Sequence, residues 1–383
     1  AQQFASGQVG GSILFWNDRE RRVGFRNLQR IYPTRALPAS PSPYPLGERL
    51  QDLGDLTYTV DGERFTVADF LAHESSIGVI VVQAGDVVLE HYAPGNDATS
   101  PWVSFSVTKS VTSMLIGAAV QDGFIESVEE PAVHYLPRLR GTSYENASIE
   151  DVLHMASGVA WNEDYTDPRS DVALAGGLNG LELQRYLGGL PREHEPGTVF
   201  NYNTGETNLV GEILRSAIGN NASTYLNAKI WQPFGMQHDA SWVISGPGAG
   251  ELGGCCISAT LRDYARIGLF ALHDGVLPDG TRVLPEDWIE RSTRPSQGSE
   301  GYGYLWWLYD GNYAARGIFG QHIRIDPVRD LVIAVHSNAP AAVGTSYHEH
   351  IDAAVDAIRA AFAPTAVATN YQEHLDAAVR AAL

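Results

Sequence analysis

Lysine is nearly missing from this chain. Of its 26 basic residues only Lys109 and Lys229 are lysine, and the rest are arginine. Arginine cannot be deprotonated in a protein whereas a buried lysine can, so a retained lysine invites a chemical explanation. Cysteine is as scarce. The neighbours Cys255 and Cys256 are the whole complement; adjacent residues rarely meet disulfide geometry, so a disulfide framework is excluded. No run of about 18 apolar residues occurs, which excludes a membrane-spanning helix. Positive charge is short too: 26 basic against 45 acidic residues leaves −19 at pH 7. No basic stripe offsets it, and a field of that sign repels phosphate backbones and anionic lipid, so the expectation is no nucleic acid and no membrane among the partners. Gly-x-Ser-x-Gly is absent, and with it the α/β-hydrolase elbow.

What is present is a globular composition, 44% apolar and 19% charged, without repeats or low-complexity runs. The 383 residues suit two intermingled domains. Residues 1–55 are irregular and rich in Arg and Pro; Pro38, Pro41, Pro43 and Pro45 suggest an extended arm over the surface. Two hairpins follow, Thr57–Val60 with Arg64–Val67 around Asp61-Gly62, and Gly78–Gln83 with Val87–Tyr92 around Ala84-Gly85-Asp86. From about Ser104 the pattern turns helical, with Val107, Val111, Leu115 and Ala118 in one stripe. Strand signals return at Gly303–Tyr309, Ile318–Ile325 and Leu331–His336, before a closing helix near His348–Phe362. Strands at both ends of a helical middle imply an α+β fold: an antiparallel sheet flanked by helices and built from both chain ends, with a mostly helical domain inserted. The expected boundaries are an arm over 1–55, an α/β domain over 56–130 and 251–383, and the insertion over 131–250.

Lys109 falls in Ser106-Val107-Thr108-Lys109, at the head of the predicted helix. Residues three apart share a helix face, so the hydroxyl and the amine can meet. Burial and the positive end of the helix dipole both disfavour the charged amine, which suits a base that takes the serine proton. Tyr202 lies on the Pro196–Thr204 loop, just before a helix patterned Leu209, Ile213 and Ala217. A phenol there can shuttle a proton between Ser106, Lys109 and a leaving group, provided Lys109 lowers its pKa.

These two segments, with Leu153–Gly158, Trp231–Met236, Gly253-Gly254 and Arg262–Arg266, resemble the serine β-lactamase and penicillin-binding-protein superfamily, in its class C and family VIII esterase branch. Asn162–Pro168, Trp306-Trp307, Gly317–Gln321 and Asp326-Pro327 resemble the 6-aminohexanoate-dimer (nylon oligomer) hydrolases within it. The match runs in order from about residue 75 to 360. It implies a β-lactamase-like fold with Ser106 as nucleophile, Lys109 as activating base and Tyr202 as proton shuttle. The backbone N–H groups of Ser106 and Ile318 would form the oxyanion hole. Tyr165 would contact the scissile bond, Trp307 would wall the cleft, and Arg316 is a further candidate for holding substrate. Glu163, Asp164 and Asp167 read as a solvated acidic loop, or as one that gathers cationic substrates.

The departures bear on substrate. Most of the superfamily has Tyr-x-Asn and Lys-Thr-Gly where this chain has Tyr202-Asn203-Thr204 and Ala315-Arg316-Gly317. Without the third-motif Lys, binding of a β-lactam or peptide carboxylate weakens. Leu252 stands where the nylon-oligomer enzymes have Asn, and Ala173–Asn179 is a shorter loop than theirs. The expectation is an acyl-enzyme hydrolase of linear amides, with a short-chain carboxylesterase as the alternative and a β-lactamase or D,D-peptidase behind both. The partner is then a small-molecule amide or ester; the resemblance adds a homodimer. No metal or other cofactor is expected: His348-Glu349-His350 lacks a third ligand at metal spacing. Two other classes compete. Gly248–Gly253 spells Gly-x-Gly-x-x-Gly with Asp274 downstream, a dinucleotide fingerprint in the wrong context. A non-catalytic binding module would have lost Ser106, Lys109 or Tyr202, and all are present. The Ala1-Gln2-Gln3 start fits a mature periplasmic or secreted protein, or a trimmed cytoplasmic one.

Overall fold

The computed structural model describes residues 12–365, so the Ala1-Gln2-Gln3 start and the end of the expected α/β domain lie outside the described residues. The strands, in chain order, are β1 (Thr34–Leu37), β2 (Gly47–Glu48), β3 (Thr57–Val60), β4 (Glu63–Thr66), β5 (Ser76–Gln83), β6 (Asp86–Tyr92) and β7 (Trp102–Val103). After a long helical stretch come β8 (Ala240–Val243), β9 (Ile257–Ala259), β10 (Trp307–Tyr309), β11 (Asn312–Gly317), β12 (Gln321–Asp326) and β13 (Leu331–Ser337). The main sheet has seven strands in the order β10-β11-β12-β13-β5-β6-β2. It is antiparallel except for β2, which lies parallel to β6. The β13–β5 seam joins the two ends of the chain, Ile333 opposite Val81.

Alternation along these strands splits the interior in two. Ile80, Val82, Ile323 and Val332 join a core that holds Val111 and Leu115 of the helix Val107–Gln121, Leu209 and Ile213 of Thr204–Ile218, and Leu269 of Leu261–Leu272. Val79, Val81, Ile333 and Val335 face the other way, onto Ile351, Val355 and Ile358 of the closing helix Ser346–Ala360. Because both faces are covered, β5 and β13 read as nearly continuous apolar runs.

Both predicted hairpins form. Asp61-Gly62 and Ala84-Gly85 sit at φ 52, 79, 52 and 83, the left-handed pairs that two-residue turns require. Other expectations need correction. The arm is woven in rather than laid over the surface: β1 pairs with β8, β2 with β6, and Trp16, Phe25 and Leu28 are buried. Its helices, Asp18–Gly24 and Leu28–Ile31, are too short to show a period. A second sheet, β1-β8-β9-β7, was not anticipated, since strands of two to four residues carry no alternation. The strand expected from Ile318 begins at Gln321, because Ile318–Gly320 is a 3-10 turn with Phe319 at φ 59.

Candidate active site

Ser106 caps the helix Val107–Gln121, and one turn on Lys109 lies buried against it. Lys109 Nζ donates to Ser106 Oγ at 3.2 Å, to Thr204 Oγ1 at 3.0 Å and to the Gly254 carbonyl at 3.0 Å. Burial pushes this amine down to about 8, against the pull of the Glu163 charge. Once neutral it has two N–H groups, enough for Thr204 and Gly254, and a lone pair left for the Ser106 hydroxyl proton. Gly254 is glycine for a reason of space: a Cβ there would sit 3.1 Å from Nζ.

Tyr202 lies 5.4 Å from Nζ, measured to its ring centroid. The Leu153–Gly158 motif holds its loop: the Met155 carbonyl accepts from Asn201 N–H at 2.8 Å, and Met155 Sδ from Asn203 N–H at 3.3 Å. Ser157 and Tyr144 donate to the buried Glu206, whose carboxyl burial pushes up to about 8, so it adds little charge here at neutral pH. The phenol of Tyr202 does not follow expectation. Burial, and then the Glu163 carboxylate, raise its pKa, the Ser106 hydroxyl opposes them, and Lys109 is not among the causes. Tyr202 therefore rests as a protonated phenol, a donor.

Glu163 and Thr204 were missed as site residues. Glu163 lies at the hub of the site rather than on a solvated loop: Thr204 N–H donates to it at 3.0 Å and Tyr165 OH at 2.7 Å, with the Thr204 hydroxyl and the Trp161 indole as further donors. The chain Ser106–Lys109–Thr204–Glu163–Tyr165 is thus continuous. Thr204 occupies the third place of the Tyr-x-Asn motif, the one signal that could have marked it. Asp164 and Asp167 accept from Thr166 and Arg169 within their own turns.

The third motif crosses Ser106 from β11. A Cβ at Gly317 would lie 2.4 Å from the Ser104 carbonyl and 3.1 Å from the Ser106 nitrogen, so only glycine lets the Ile318 amide approach that of Ser106. The residues flanking this pair are both left-handed, Phe105 at φ 44 and Phe319 at φ 59. Their rings are 5.3 Å apart, and Phe25 of the arm packs on both, at 4.9 and 5.2 Å. Arg21 closes the cluster, stacked over Phe319 and bonded to Asn338 at 3.1 Å. Arg316 is engaged on Tyr309 at 2.8 Å and Asp352 of the closing helix at 2.9 Å.

Beside Ser106 opens a cleft of about 430 Å³, with Tyr165, Thr204 and Ile318 around the hydroxyl. Trp307 stands on the Tyr202 side, stacked on that ring at 5.7 Å and edge-on to Tyr302. Cys255 and Cys256 line the cleft and are bonded to each other, a correction to the expectation for neighbours; with no residue between them the bridge closes no loop. The glycines from Gly248 lead into no helix; the chain turns back into β9, which leaves no dinucleotide crossover. His348 and His350 diverge to Thr345 and Tyr58. Among the described residues no group of three His, Cys, Asp or Glu is placed to hold a metal ion.

A 6-aminohexanoate-dimer hydrolase of Paenarthrobacter ureafaciens is 29% identical over 286 residues, 68% of this chain and 72% of the relative. A Bacillus anthracis structure provisionally named a 6-aminohexanoate-dimer hydrolase superposes with a TM-score of 0.78 at 21% identity, covering 93% of this chain and all of the other. A family VIII carboxylesterase superposes at 0.59 and 17% identity, over 76% of this chain and 96% of its own. At such identities the structures speak for the fold alone, which is β-lactamase-like as expected. The Beta-lactamase family model matches residues 66–356, so the chain belongs to the beta-lactamase family.

Proposed function

We propose that this protein is a serine hydrolase that cleaves linear amides, or esters, through an acyl-enzyme on Ser106. One observation carries the reading: a buried amine with a pKa of about 8 lies 3.2 Å from the hydroxyl of the serine that begins the helix, at the edge of a cleft. Neutral Lys109 takes the Ser106 proton as Oγ attacks the substrate carbonyl. The N–H groups of Ser106 and Ile318 receive the charge that develops on the carbonyl oxygen. Tyr202 gives its proton to the departing amine or alcohol as the C–N or C–O bond breaks, and Lys109 returns a proton to Tyr202. Water then attacks the acyl carbon, losing a proton to the same pair, and Ser106 is restored.

Linear amides are favoured by the likeness to the Paenarthrobacter enzyme. The ester reading draws on the uncharged cleft; a β-lactam or peptide carboxylate would lack a free cation, since Arg316 is already paired. A fluorophosphonate should label the native protein once, at Ser106, and leave Ser106→Ala unlabelled. Lys109→Arg should lose turnover of p-nitrophenyl acetate, since a guanidinium takes no proton. Labelling that survives Ser106→Ala would overturn the proposal.

A further inference from the structure

Among the described residues, no Lys, Arg, His, Asp or Glu lines the cleft beside Ser106. Its lining includes Leu14, Leu28, Val243, Leu252 and Cys256, with the exposed Leu174. The arm thus supplies one side and the second sheet another. The nearby carboxylates accept bonds elsewhere: Glu163 from Thr204, Tyr165 and Trp161, and Asp164 and Asp167 from their own turns. None of these three carboxylates lines the chamber, whatever the overall balance of −19.

Geometry also says which half of the substrate enters. Tyr202, which serves the leaving group, stacks against Trp307 and Tyr302, and none of the three lines the apolar chamber. With the departing group on that side of Ser106, the chamber receives the acyl half. We propose that this chamber is an acyl subsite for an uncharged aliphatic chain, so that the substrates are amides or esters of medium-chain alkanoic acids rather than of ω-amino acids. The proposal rests on the serine-hydrolase reading above. Burying a terminal methyl there gains apolar contact, whereas an ammonium in the same place would lose its water and find no counterion.

The test compares p-nitrophenyl acetate, butanoate, hexanoate and heptanoate with p-nitrophenyl 6-aminohexanoate, and repeats the last two as p-nitroanilides. Heptanoyl and 6-aminohexanoyl differ only in a methyl against an ammonium. From acetate to heptanoate kcat/KM should climb by about threefold per methylene, and heptanoyl should exceed 6-aminohexanoyl by about a hundredfold or more. Leu174→Asp, at a position 56% exposed where folding tolerates charge, should narrow that ratio about tenfold. Ser106-dependent hydrolysis of acetate with a flat chain-length profile, or with 6-aminohexanoyl equal or preferred, would overturn the subsite alone. No Ser106-dependent hydrolysis of any ester or anilide would overturn the hydrolase reading and the subsite with it.

Discussion

At the scale of the residue, the site is a competition between burial and one carboxylate. Burial drives Lys109 towards the neutral amine, and the Glu163 charge resists. The proposed mechanism needs the amine unprotonated, so kcat/KM should rise with pH along a limb centred near 8. Glu163→Gln removes the charge that favours the ammonium, and the limb should move to lower pH; a limb that stays in place, measured on one ester across a pH series, would mean that Glu163 does not act on Lys109. Ser106 and Lys109 are legible in the sequence because their relation is local, three positions on one helix. Glu163 is not, since its place beside Thr204 arises only when loops 41 residues apart meet. Until that meeting is known, an acidic residue beside Asp164 and Asp167 looks like solvated surface.

At the scale of the element, the two amides proposed as the oxyanion hole, those of Ser106 and Ile318, sit beside two left-handed turns that belong to different parts of the chain. Phe105 and Phe319 hold left-handed backbone that costs of order 1–3 kcal/mol each and persists only when the surroundings over-determine it. Phe25 touches both rings, so the segment Asp18–Phe25 acts as a brace. Phe25→Leu, close enough in volume to fold, should lower kcat on p-nitrophenyl esters about tenfold with little change in KM, because a misplaced donor pair weakens the transition state more than the bound substrate. Unchanged kcat would show that the turns hold without the brace. Hairpins were readable because Gly62 and Gly85 accept the positive φ that a two-residue turn requires. The brace was not, because a helix of seven residues and strands of two to four carry too few repeats to show a period.

At the scale of the whole molecule, the main sheet takes β2, β5 and β6 from the first 92 residues and β10–β13 from beyond residue 306. The larger apolar core runs on through the helices between, from Leu115 to Leu187, Leu209 and Trp231. The helical middle therefore has no core apart from the one it shares with the sheet. Thermal unfolding followed by far-ultraviolet dichroism and by the fluorescence of the eight tryptophans should give coincident transitions. A separate early transition in either signal would instead mark residues 131–250 as a unit that melts alone.

The pair of lysines has a practical corollary. Lys109 is 1% exposed, while Lys229 reaches solvent beside Asp122. With the amino terminus set aside, an amine-reactive reagent meets one accessible side chain on the folded protein. With a pKa of about 8, Lys109 is substantially unprotonated in mildly alkaline buffer, so burial rather than charge is what shields it. Mass spectrometry of Lys109 acylation, with Lys229 as the internal standard in the same sample, would therefore clock how often the pocket around Lys109 comes apart.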